Sequence, residues 1–149
     1  LKVIIMSVIR FDTCSSNGCL GALQNILDGK LNIQKGLDDL CEAQKNLLCR
    51  RKCQAEEDLV EGIRRVKTGL CQIKEGLEFL HGTMDRKDLK CFEEGIRDIC
   101  QGLKCLCEAL DDLRGGRICE AEENLTKGIR KVQIGLCKIE KGIEGILNH

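Results

Sequence analysis

The sequence predicts an all-α protein: two tandem helical hairpins forming an antiparallel, disulfide-stapled four-helix bundle with glycine-rich heptad seams. Three features carry that expectation. Ten of the 16 glycines recur on a seven-residue beat. The chain repeats itself at an offset of 66 residues. Proline is absent, which leaves long helices uninterrupted.

The beat is clearest in Gly62-Ile63-x-x-Val66-x-x-Gly69-Leu70-x-x-Ile73-x-x-Gly76-Leu77-x-x-Leu80. It recurs at Gly29 and Gly36, at Gly95, Gly102 and Ala109, and at Gly128, Gly135 and Gly142. With glycine at heptad position g, the third helical stretch places Leu89, Phe92, Ile96, Ile99, Leu103, Leu106, Leu110 and Leu113 at a and d. An unbroken a/d pattern over several heptads marks a helical seam. The fourth stretch supplies Leu125, Ile129, Val132, Leu136, Ile139, Ile143 and Ile146, and the second supplies Leu59, Ile63, Val66, Leu70, Ile73, Leu77 and Leu80. The first stretch is weaker, because Lys30 and Gln44 occupy a positions. Each interior glycine costs about 1 kcal/mol of helix propensity relative to Ala. Close backbone approach between helices is the compensation expected of a repeated bare position.

The repeat aligns Cys53–Gly82 with Cys119–Asn148 without a gap, and half of those positions are identical. It divides the chain into an N-terminal arm (about 1–17) and two hairpin repeats (18–82 and 83–149) that pack as one domain. Arg114-Gly115-Gly116-Arg117 reads as the turn of the second hairpin. Symmetry puts the first turn at Leu48–Lys52. His81–Asp85 links the repeats, with Gly82 as a C-terminal helix stop. The apolar start, Leu1–Ile9, is too short to span a bilayer and is expected to pack on the helices.

Twelve cysteines in 149 residues is about 8%, the density of disulfide scaffolds. The number is even. Residues that face each other in an antiparallel hairpin lie equally far from its turn. By that rule Cys91 pairs with Cys137 and Cys107 with Cys119, and in repeat one Cys41 with Cys53 and Cys19 with Cys71. Cys14, Cys49, Cys100 and Cys105 remain to tie the arm and the repeats together. Asn124-Leu125-Thr126 is a glycosylation acceptor triplet, with Asn124 the acceptor. Cysteine content and triplet together predict a secreted protein.

The functional reading is mainly by exclusion. Lys plus Arg and Asp plus Glu each number 24, so net charge is zero, and Trp and Tyr are absent. Neither charge nor stacking surface favours nucleic acid. The serines Ser7, Ser15 and Ser16 all lie in the arm, and the only histidines are His81 and His149. The paired carboxylates Glu56-Glu57 and Glu122-Glu123 read as helix starts. Arg50-Arg51-Lys52 and Arg64-Arg65 read as solvated surface. No catalytic residue, cofactor or metal is expected. The leading expectation is a secreted non-enzymatic protein that binds an apolar small molecule or a protein partner. A spare cysteine also allows a homo-oligomer. One alternative is a structural or surface-active component of a secretion, such as foam, glue, silk or coat. The other is a cytosolic copper(I)-thiolate store, since soft thiolates select that ion; Cys49-x-x-x-Cys53 is its best cluster.

Overall fold

The computed structural model describes residues 16–148. Four helices run α1 (Ser16–Leu48), α2 (Lys52–Leu80), α3 (Arg86–Arg114) and α4 (Ile118–Leu147). A 3-10 turn, His81–Thr83, precedes α3. The helices form two tightly packed pairs, α1 with α2 and α3 with α4. Looser contacts between α1 and α4 and between α2 and α3 close the bundle. The expected arm falls almost wholly outside the described residues, as do Cys14 and His149.

Both hairpin turns fall where the sequence puts them, and both use one hydrogen-bond pattern. Arg51 N–H donates to Asn46 O (2.7 Å) and Arg50 N–H to Leu47 O (3.1 Å). Their counterparts are Arg117 N–H to Asp112 O (2.8 Å) and Gly116 N–H to Leu113 O (3.1 Å). This is the Schellman closure, which needs a left-handed residue after the helix. The link between repeats differs from expectation. Gly82 has no left-handed φ; α2 tightens into the 3-10 turn instead, and Thr83 Oγ1 donates to Leu80 O (2.8 Å).

All ten beat glycines are buried, and eight of them meet in pairs, two pairs in each hairpin; Gly76 faces Ala22 and Gly142 faces Phe92. A methyl group on Gly29 would lie 2.5 Å from the carbonyl oxygen of Gly69 and 2.7 Å from Ile73 Cγ1. In the second hairpin a methyl on Gly135 would lie 2.5 Å from Gly95 O. Gly36 faces Gly62, and Gly102 faces Gly128, in the same way. The partner helix's d residue seats on each bare position: Val66 on Gly36, Leu40 on Gly62, Leu106 on Gly128. Backbone is therefore apposed to backbone, and Cα–H groups face carbonyl oxygens there. No other side chain fits, so the lost propensity is offset by dispersion along the helix pair.

The a and d positions do different work. Residues at d, such as Ile33, Leu40, Val66, Ile73, Ile99, Leu106, Val132 and Ile139, are fully buried in the bundle centre. The a residues face the other hairpin and several are only half-buried, including Leu37, Ile96 and Leu110. The polar a residues are used there. Lys30 pairs with Glu140 (3.3 Å) and Gln44 Nε2 donates to Thr126 Oγ1 (3.0 Å), joining α1 to α4. Glu56 accepts from Arg114 Nε (3.1 Å), joining α2 to α3. In every case an a residue meets an e residue.

Position c forms a polar row along the rim of each glycine seam. Asn32 donates to Gln72 (2.6 Å), Asn46 to Asp58 (2.6 Å) and Asn124 to Asp112 (2.8 Å). Lys138 pairs with Asp98 (2.7 Å), and that hydrogen bond holds the Lys138 ammonium above its ordinary pKa. Asp39 Oδ2 lies 3.4 Å from Arg65 Nε. Burial nevertheless raises the Asp39 pKa, with Arg65 only partly opposing it.

Two predictions test this packing. Gly69→Ala should destabilise by roughly 1–3 kcal/mol despite its better helix propensity, because the methyl meets backbone. Gly21→Ala, at an exposed site with no atom within 4 Å, should stabilise by up to about 1 kcal/mol. Urea melts of both check the contrast, and equal effects would refute close approach. The second concerns pH. Because the folded pKa of Asp39 is raised, its contribution is fully present below the ordinary value of 3.8 and is lost as pH rises through the folded value. Asp39→Asn, the residue type used at 32 and 46, should therefore gain stability relative to wild type as pH rises through that window. Urea midpoints across the acid range measure it.

Candidate functional site: an open cleft at one end of the bundle

Cys41, Cys49, Cys53, Cys71, Cys91, Cys100, Cys105, Cys107, Cys119 and Cys137 stand as free thiols, so the stapling is not seen among the described residues. The predicted pairs are level along the hairpins, but in each pair at least one cysteine points away from the seam or lies out of reach of its partner. Cys107 and Cys119 both occupy e, as do Cys41 and Cys53. At about 100° per residue, e lies about 160° round the helix from the g seam that joins the two helices. Cys91 at c borders its seam, whereas Cys137 at b is about 160° away from it. Cys19 is buried at a d position and Cys71 is exposed at b. Equal distance from a turn fixes height along a hairpin, not direction around a helix.

The other named residues are dispersed. Cys49 and Cys53 straddle the first turn rather than sharing one helix face. Among the described residues no three His, Cys, Asp or Glu side chains stand close enough together to hold a metal ion. His81 opens the 3-10 turn. The acceptor amide Nδ2 of Asn124 is the atom that bonds Asp112 in the polar row, so a sugar there would replace an interhelical contact. No described helix is long and apolar enough to cross a membrane.

What remains is a concavity at the end of the bundle where the first turn meets the start of α4. It is a cleft of about 530 Å³, lined by Leu47, Leu48, Arg50, Lys52, Ile118, Cys119 and Glu122. A shallower depression continues along α4 past Thr126 and Lys127. The internal repeat supplies the comparison that explains the cleft. Leu48 stands where repeat two has Arg114, and Glu122 where repeat one has Glu56. At the same end of the bundle, on its α2–α3 side, Arg114 and Glu56 form an ion pair. In the cleft the matching a–e position sets a leucine against Glu122. Leu48 is left 70% exposed, the highest value among the described large apolar residues.

The turn differs as well. Arg50 has φ of 62°, and its counterpart Gly116 has φ of 77°. Glycine adopts that conformation freely, whereas a residue with a Cβ loses about 1–2 kcal/mol. Arg50 is the one positive-φ non-glycine residue among those described. The strain, the bare leucine and the absent ion pair all fall in one cleft. Sequence reading passed over it, treating Arg50-Arg51-Lys52 as a solvated basic run. The signal was present: aligning the repeats sets Arg50 on Gly116 and Leu48 on Arg114.

No protein-family model, curated protein or solved structure matches this chain.

Two outcomes are expected of this geometry. Arg50→Gly should raise stability by about 1 kcal/mol in thermal or urea melts, because it restores the sister turn. The α2–α3 register set by Glu56–Arg114 brings Cys71 within one residue, about 1.5 Å, of the level of Cys100. Cys100 stands at e, the position that faces a of α2, and Cys71 stands at b next to that a residue; both are exposed. Oxidised glutathione should therefore join Cys71 to Cys100 first, two thiols giving one disulfide and two reduced glutathiones. Mapping of non-reduced peptides reads the pair; early formation of Cys107–Cys119 instead would contradict the face assignment.

Proposed function

We propose that this chain is a secreted, non-enzymatic binding protein that holds an apolar ligand in the cleft beside the first hairpin turn. The single observation that carries the reading is the departure from internal symmetry between the two sides of that end. A leucine replaces the arginine that closes the α2–α3 side, and a strained arginine replaces a glycine. Backbone strain retained outside the core is a signature of function. The volume lies within the roughly 300–1,000 Å³ usual for small-molecule sites. Secretion rests on the cysteine content, about 8% of the chain. In an oxidising compartment the exposed thiols would pair differently from the hairpin rule, or between two chains.

The rigid glycine seams fit a scaffold role. They hold each hairpin fixed while the turn presents its side chains. One specific observation favours a second reading, a surface-active secretion component. Contacts between hairpins run through side chains, not backbone, so the hairpins are the units that would part at an air–water interface. Parting would expose the d and a residues together. A fall in surface tension at micromolar protein, abolished by a cross-link between hairpins, would select that reading. The copper(I) store draws no support from the described residues.

The binding reading is tested with Leu48→Arg, which gives Glu122 the counterpart of the Glu56–Arg114 ion pair. An environment-sensitive apolar dye should bind the wild type at one site and lose at least tenfold in affinity with the variant, while circular dichroism stays unchanged. Undiminished dye binding by a folded Leu48→Arg protein would remove the cleft from consideration.

A further inference from the structure

Resting on the cleft as the binding site, we infer that its ligand is a single-chain amphiphile with an anionic head group, of the fatty-carboxylate class. The cleft has two chemically distinct parts. Leu47, Leu48 and Ile118 provide an apolar wall, and Arg50 and Lys52 place two cations at its turn-side edge. Glu122 is the one carboxylate among the lining residues. Two cations against one anion leave the cleft positive, in a chain whose overall charge is zero. A zero-charge protein has no general attraction for anions, so the local excess is what selects them.

Arg50 makes the case for the head group. Glycine would serve the turn better, as Gly116 does in the other hairpin at the same hydrogen-bonded position. Turn geometry therefore does not account for arginine here. The guanidinium does what glycine cannot: it offers a planar fork of donors that matches a carboxylate. Lys52, at the start of α2, adds a point charge from across the turn. The exposed Leu48 accounts for the tail. A free ion such as phosphate would gain nothing from a leucine 70% open to water, whereas an alkyl chain would cover it. The depression running on along α4 gives that chain a direction. Glu122 opposes the head group, and its effect has a predictable sign.

The test is isothermal titration of the full chain with three probes of one tail length, dodecanoate, dodecanol and dodecylammonium, each below its aggregation concentration. Dodecanoate should bind at least tenfold tighter than dodecylammonium. Arg50→Gly should weaken dodecanoate roughly tenfold, the loss of one charge-assisted pair, and leave dodecanol unchanged. Glu122→Gln should strengthen dodecanoate severalfold. A merely structural role for Arg50 would move none of these, because Arg50→Gly relieves strain. Equal binding of all three probes would overturn the anionic head group while leaving an apolar cleft. Preference for dodecylammonium, lost in Glu122→Gln, would overturn it by reversing the charge. Binding of none of the probes would remove both the head group and the cleft. Binding only to dodecanoate-containing vesicles would overturn the monomeric ligand.

Discussion

Contact between bare backbones is the constraint on which this bundle depends. At Gly29–Gly69 and Gly95–Gly135 the space for a Cβ is already filled by the partner's carbonyl oxygen. Nothing larger than glycine fits, so the positions are determined by sterics rather than by propensity. Every other feature of the hairpins follows from that spacing. The d residues drop onto the glycines opposite, and the c residues come close enough to bond across the rim. Phe92 shows how local the constraint is. It replaces Ile26 of the first repeat, and its ring lies directly against Gly142, where a methyl would sit 2.6 Å from the ring.

The bundle therefore contains two kinds of interface. Within a hairpin, backbone approaches backbone and the fit admits no slippage. Between hairpins, larger a side chains intervene, and a few polar residues at a and e set the level. Lys30–Glu140, Gln44–Thr126 and Glu56–Arg114 share one register. Exposed ion pairs contribute little stability. Their consequence here is specificity, since they fix how the hairpins meet. Polar residues that look like flaws in the first heptad seam are the contacts that orient it against α4.

Symmetry between the repeats gives an internal control for function. Residues needed by the fold recur: the glycines, the d residues and the Schellman turns. Residues that do not recur are free to answer to something else. Leu48 and Arg50, two positions apart, both depart from the repeat, and one departure strains the backbone. Both lie in the same cleft. That coincidence is the basis for assigning binding to this end of the molecule.

Much of the fold was legible in the sequence. Helix number, both turn positions, the pairing of helices into hairpins and the burial of the beat glycines follow from periodicity and repetition alone, because both record local geometry. The staples were not legible. Cys107 and Cys119 are level along their hairpin, yet their direction depends on which face each helix turns to its partner, and the seam runs through g rather than through a and d symmetrically. The cleft was half legible. The chain states that Arg50 stands in for Gly116; only the folded bundle sets that arginine, Leu48 and the start of α4 around one space. Sequence determines what each helix is, since that depends on neighbours three and four residues away. Which side chains share a cavity depends on how helices rotate and settle against each other, and tertiary packing alone decides that.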